Sequence, residues 1–250
     1  MPAWRRWAAR RAASSRVSRS VRPLPTAPAA RPHFIDGNGR TLARIDAATT
    51  LIERRFPHGR ALKGSARVER GKSVPGPRDF STSNFMPLAE AHRLLIAVVL
   101  PEAVAPAQRF DLAPAAHDYL RHCMGMLPAE CADPVYPARV YVPTHGKYLL
   151  GGGGQATLPV GVRSFNKVGR SFGYRADCAY VSDAPRGAEF FLSASLYVNG
   201  DDVLNDGRYE YAEIGWPFLS ALGRAALEID VARPRAHRFA ALAADGRFVP

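Results

Sequence analysis

The chain has 250 residues, 47% of them hydrophobic, enough to bury a sizeable core as one domain or two small ones. Its most apolar stretch, Leu94 to Leu100, is far too short to cross a bilayer, and the composition is too apolar for a wholly disordered chain, so the sequence reads as a soluble globular protein. The net charge of +12 is local: residues 1–32 hold eight Arg and no acidic residue, which leaves +4 for the rest of the chain.

That first segment is low in complexity and has no helical or strand period, and it is expected to be a disordered basic tail. It lacks the apolar core of a secretory signal, and reads either as a plain tail or as sequence upstream of the true start. Association with nucleic acid or a membrane through its arginines is the weakest function class, resting on charge alone with only Trp4 and Trp7 as interleaved aromatics. Residues 33–80 are turn-rich, and Val74-Pro-Gly-Pro77 breaks any element there.

Leu88, Ala91, Leu94, Leu95, Val98 and Val99 recur at helical spacing after a possible cap at Asn84, and Pro101 stops them, which predicts a helix over 87–100. A second helix is predicted over 114–127, capped by Asp111 and closed by Pro128. Leu112, Ala116, Tyr119, Leu120, Cys123, Met124 and Leu127 form its apolar stripe. Residues 128–159 read as loop, with five prolines, four consecutive glycines at 151–154 and a possible short strand near Val140 to Val142.

After Pro159 the period changes to two. Strands are predicted near 160–167, 176–183 and 189–198, joined by short connections at 169–175 and 183–187. Parallel strands need long crossovers, so the three form an antiparallel meander. A last helix over 217–230 carries Ile214, Phe218, Leu222, Ala225 and Ile229 on one face. The fold class is α/β of the α+β type: helix, helix, three antiparallel strands, helix.

Most chemical motifs fail on inspection. Gly71-Lys72-Ser73 resembles the end of a phosphate-binding loop, but Ala66 stands where the first glycine belongs and Pro75 forbids the helix that must follow. His117, His122, Cys123 and Cys131 do not have zinc spacing, since two ligands on one helix face lie three or four apart, so no metal is expected. Cys123, Cys131 and Cys178 are too few, and odd in number, for a disulfide framework. No cofactor is implied. Lys167, placed at the end of its strand with Gly169 two residues on, projects a cation into whatever borders that edge, and the glycine leaves room for another backbone or a ligand.

The segment from Val162 to Val181 resembles the Lys-Thr-Gly strand and following strand of the serine β-lactamase and penicillin-binding-protein superfamily. Within it the chain is most similar to a branch of serine hydrolases that carries Phe-Asn-Lys-Val-Gly (165–169), Gly-Tyr (173–174), Asp-x-Ala-Tyr (177–180), Glu-Phe-Phe-Leu-Ser-Ala (189–194), Val-Asn (198–199), Asn-Asp (205–206), Tyr-x-Tyr (209–211) and Gly-x-Pro-Phe (215–218). Pro75-Gly-Pro-Arg78-Asp79 resembles the end of the class A omega loop. The likeness covers about residues 75–230 and leaves 231–250 as a tail. It implies a β-lactamase or transpeptidase-like fold and acyl transfer through an acyl-serine. The substrate would be a small acyl or peptide-like molecule, and the setting periplasmic or secreted. Lys167 would be the catalytic and substrate-binding cation, Gly169 would keep the strand edge open, and Tyr174 and Asp177 would support the turn and strand.

The departures are equally specific. That chemistry needs a Ser with a Lys three residues on, so that one helical turn brings the amine to the hydroxyl. The four lysines, 63, 72, 147 and 167, are preceded at that spacing by Arg60, Glu69, Thr144 and Ser164. Ser164 and Lys167 lie in a strand pattern, where positions three apart face opposite ways, and no apolar helix holds Thr144. Thr82-Ser-Asn84 and Tyr197-Val-Asn199 are an imperfect and a misordered match to the second family motif. Val168 stands where β-lactamases use a Thr to hold a substrate carboxylate. The resemblance therefore implies the C-terminal part of such a hydrolase, truncated or degenerate and inactive as this chain. The alternative from another class is a non-catalytic binding module.

Overall fold

A computed structural model describes residues 33–35, 38–44, 59–81, 83, 86–152, 157–234, 241–242 and 248–249; the expected tail over 1–32 and the expected cap Asn84 lie outside them. In chain order the strands are β1 (His33–Ile35), β2 (Thr41–Arg44), β3 (Leu62–Lys63), β4 (Ala66–Glu69), β5 (Lys72–Pro75), β6 (Arg78–Asp79), β7 (Val162–Ser171), β8 (Tyr174–Asp183), β9 (Ala188–Tyr197), β10 (Val203–Leu204), β11 (Ala241–Leu242) and β12 (Phe248–Val249). The α-helices are α1 (Leu88–Val99), α2 (Pro114–Gly125), α3 (Tyr148–Gly151) and α4 (Trp216–Ala232).

The fold is mixed α and β, and its centre is the antiparallel sheet β7-β8-β9. The alternation after Pro159 does produce this meander, but its first two strands are longer than expected. Residues 169–175 are not a loose connection. Both strands run through them to a two-residue turn at Phe172 and Gly173, whose φ angles of 50° and 81° suit the right-handed twist of a hairpin. Lys167 therefore lies inside β7, not at its end.

Because side chains alternate across the sheet, one face carries Val162, Ala179, Val181 and Ala188, which pack with Leu149 and Leu150 of α3 and Leu219 and Leu227 of α4. The other carries Phe165, Cys178 and Tyr180, covered by Leu95 and Val99 of α1. Two close approaches demand glycine. A Cβ on Gly223 of α4 would lie 1.5 Å from the Leu149 carbonyl oxygen, and one on Gly125 of α2 would meet the Phe165 ring at 2.6 Å.

Five expectations are corrected. Helix α2 is present but turns its other side inward: His117 and Gly125 are buried, whereas Tyr119, Leu120 and Cys123 of the expected apolar stripe are exposed. Its N-cap is Ala113, without the side-chain cap expected from Asp111. In α4 the buried residues are Leu219, Ser220, Gly223, Leu227 and Asp230, and the Ile214–Phe218–Ile229 stripe faces outward. Val140 to Val142 is a turn, while the four-residue helix α3 forms inside the expected loop.

The turn-rich segment folds as short ribbons: β4 and β5 form an antiparallel hairpin and β3 pairs with β6. Arg70 and Gly71, at φ 50° and 76°, are the turn of that hairpin, and Lys72 and Ser73 of the Gly71-Lys72-Ser73 sequence begin β5. Strand β10 adds parallel to β4, and Phe80 packs edge-on against Phe172 with Arg78 lying against both rings, which ties the ribbons to the β7–β8 turn.

Candidate active-site edge

Strand β7 is an edge strand, and the two halves of its outer side differ. The Ser164 carbonyl accepts a 2.8 Å hydrogen bond from Lys147 Nζ, so it points away from β8. In an uninterrupted antiparallel ladder the carbonyls of Asn166, Val168 and Arg170 point the same way. The first half is sealed by Lys147 and the second half, from Val168 onward, has no partner strand among the described residues.

Lys167 is exposed and folds over that open half, its Nζ donating to the Val168 carbonyl at 2.6 Å. None of the ion pairs among the described residues uses it. Gly169 is exposed too, and a Cβ built on it would meet nothing within 4 Å. An edge without a partner strand, beside a cation without an ion pair, can take an extended acyl or peptide chain by main-chain pairing and hold an anionic group of that chain once Lys167 releases the Val168 carbonyl.

Across the sheet from Lys167 the same face carries Cys178 and then Ser193, directly cross-strand in turn. Ser193 Oγ lies 2.8 Å from Nδ1 of His92 on α1, and the His92 ring packs edge-on against Phe191. Burial holds the Cys178 thiol above its ordinary pKa, so it is no ready thiolate. The His92–Ser193 pair was not singled out from the sequence, since its members are 101 residues apart and meet only when α1 crosses β9.

The opposite face carries a buried polar network. Lys147 Nζ uses its three protons on the carbonyls of Met124 (2.6 Å) and Ser164 (2.8 Å) and on Asn166 Oδ1 (2.9 Å). Asn166 Nδ2 donates to Asp177 Oδ1 at 2.8 Å and to the Gly146 carbonyl, and Asp177 Oδ2 accepts from the Leu149 amide at the start of α3. Burial raises the Asp177 pKa to about 6 against the opposing pull of these donors and of Lys147. Burial likewise lowers the Lys147 amine to about 8.

The network also disposes of the two Ser/Thr-x-x-Lys spacings. Thr144 is buried and its hydroxyl donates to the Gly151 carbonyl, while Lys147 is fully engaged elsewhere. Ser164 is buried on the α3–α4 face and Lys167 is exposed on the other, as strand alternation requires. Tyr174 packs against Tyr197, ring centroids 4.7 Å apart and inclined by 45°, beside the hairpin turn. His117, His122, Cys123 and Cys131 do not form a metal cluster, and no group of three or more His, Cys, Asp or Glu with that geometry occurs among the described residues. One compositional signal pointed to Lys147: in a chain with 34 basic residues and only four lysines, a lysine marks a place where a compact amine is needed.

No protein-family model, curated protein or solved structure matches the chain.

Proposed function

We propose that the chain is the C-terminal part of a serine hydrolase of the β-lactamase and penicillin-binding-protein type, truncated or degenerate, with no nucleophile of its own. The observation that carries this reading is Lys167: a cation free of carboxylates, lying over the unpaired half of an edge strand within the Phe-Asn-Lys-Val-Gly motif. In an intact parent the amine stands beside the nucleophilic serine and stabilises the negative charge that develops on the attacked acyl group. Gly169 lets the acyl chain lie along the edge. Asp177 holds the strand from behind through Asn166 and touches no substrate. Val168 has no hydroxyl to offer a substrate carboxylate, so the parent's substrate is an acyl or peptide-like compound whose recognition does not depend on that contact.

Two measurements test this. A penicillin-type acylating probe leaves every serine of the 250-residue chain unlabelled, as read by intact mass. When an N-terminal part bearing Ser-x-x-Lys is restored, ester hydrolysis appears and Lys167→Ala abolishes it. Labelling of the bare chain at a serine, or undiminished turnover in the Lys167→Ala parent, defeats the reading. A non-catalytic binding module is the second reading, favoured by the open β7 edge together with the exposed apolar face of α4.

A further inference from the structure

Helix α4 has two apolar faces where a surface helix has one. The inner face buries Leu219, Gly223 and Leu227 against the sheet and α3. Directly opposite, within α4 itself, run Phe218, Ala221, Ala225 and Ile229, at spacings of three, four and four residues, and Ile214 extends the row from the π-helical turn Tyr211–Gly215 that leads into the helix. Ile214 and Phe218 are each 51% exposed and Ile229 is 72% exposed. Within α4 the stripe spans Phe218 to Ile229, about 17 Å at 1.5 Å per residue, and no charged residue interrupts it; Arg224 and Glu228 flank it. So long an apolar seam is a docking surface rather than a scatter of exposed hydrophobes.

The distribution of charge and size along the seam selects its occupant. Glu213 is exposed at one end and Arg233 at the other. If a second α4 is laid antiparallel on the first and centred at position 223, Glu213 in the turn that enters one helix comes within reach of Arg233 at the turn that leaves the other, at both ends at once. The same superposition sets Ala221 against Ala225, so the smallest residues meet at the crossing and the axes can approach closely. Phe218 then packs beside Ala225 and Ile229 of the second copy. Arg233 already pairs with Asp230 at 2.9 Å, but its guanidinium has donors to spare for a second carboxylate. A pattern complementary to itself under a two-fold axis is what an isologous contact requires. The basic segment 1–32, with eight Arg and no acid, lacks the acidic partner that Arg233 calls for.

We propose that the outer face of α4 is the interface of a two-fold homodimer of this chain, with the helices antiparallel about Gly223. The inference is independent of the hydrolase reading. One helix face is small beside the ~800 Å² per partner of a standard interface, so association is expected in the micromolar range, not nanomolar.

Sedimentation velocity of the full chain over a hundredfold concentration range tests it. A reversible monomer–dimer equilibrium is expected. Phe218→Glu weakens association at least tenfold while circular dichroism and melting temperature stay unchanged, because the residue is already half exposed. Glu213→Arg weakens association, and adding Arg233→Glu to it restores dimerisation, because the end contacts are re-formed with their signs exchanged. A chain that stays monomeric at hundreds of micromolar overturns the proposal, and so does a dimer indifferent to Phe218→Glu. Failure of the double exchange to restore association overturns the antiparallel register. No readout involves acyl transfer, so a negative result here leaves the hydrolase reading standing, and the converse holds too.

Discussion

Replacing Lys147 with Met is the sharpest probe of the network behind β7. Methionine nearly conserves the volume, so little cavity is created and the loss is electrostatic. Three acceptors lose their donor: the Met124 and Ser164 carbonyls and Asn166 Oδ1. Asp177, fully buried, also loses the cation that favours its charged form. Removing one partner of a buried, hydrogen-bonded pair costs about 3–5 kcal/mol, against a total of ~5–15 kcal/mol for a domain of ordinary stability.

The pH dependence distinguishes this cause from mere loss of packing. The folded-state pKa of Asp177 is raised from 3.8 to about 6, so its contribution is fully present below the unfolded value and is lost as pH rises through about 6. That of Lys147 is lowered from 10.5 to about 8, so its contribution is present above 10.5 and is lost as pH falls through about 8. Between these limits the folded protein carries both desolvated charges. In Lys147→Met the upper limb disappears and the lower one grows, since nothing offsets the carboxylate. Urea unfolding followed by circular dichroism should show the variant gaining stability relative to wild type from pH 7.5 to pH 5. The double variant Lys147→Met/Asp177→Asn should recover a large part of the loss at pH 7.5. A single variant within ~1 kcal/mol of wild type at pH 7.5, or one with an unchanged pH profile, refutes the account.

Lys167→Ala, by contrast, should change stability by no more than ~0.5 kcal/mol in the same assay, because the amine is exposed and bonds only its neighbour's carbonyl. Gly223→Ala pits a helix-propensity gain of about 1 kcal/mol against a Cβ only 1.5 Å from the Leu149 carbonyl oxygen; backbone cannot yield as a side chain does, so a net loss of ~2 kcal/mol or more is expected. Arg175 is fully buried with none of its three guanidinium nitrogens hydrogen-bonded, held by the rings of Tyr148, Trp216 and Tyr211 at 4.2, 4.7 and 5.0 Å; Arg175→Leu should therefore leave the melting temperature unchanged or raise it, and a clear drop would mean that the ring contacts outweigh the desolvation of the charge.

What could be read from the sequence was local and periodic. Alternation after Pro159 marked the three strands, connections too short for crossovers made them antiparallel, and Pro101 and Pro128 closed two helices within a few residues of their observed ends. A strand's period also settled that Ser164 and Lys167 face apart. The side an element buries was another matter. The apolar stripe of α4 was visible in the sequence, yet the helix packs by the side where Gly223 permits contact with the Leu149 carbonyl, because the close approach of two backbones outweighs the area of exposed Phe and Ile. Helix α2 likewise sets Gly125 against the Phe165 ring and leaves Tyr119 outside. Lys147 looked like one basic residue in a loop. It is a buried structural cation because the chain ends of α2, β7 and α3 converge on it, bringing together carbonyls and a carboxylate that lie up to 30 residues away in sequence. Hydrophobic pattern thus determined which elements form and how neighbours pair. Steric fit between distant backbones and the need to satisfy buried polar groups decided which faces meet and which lysine is left at the open edge.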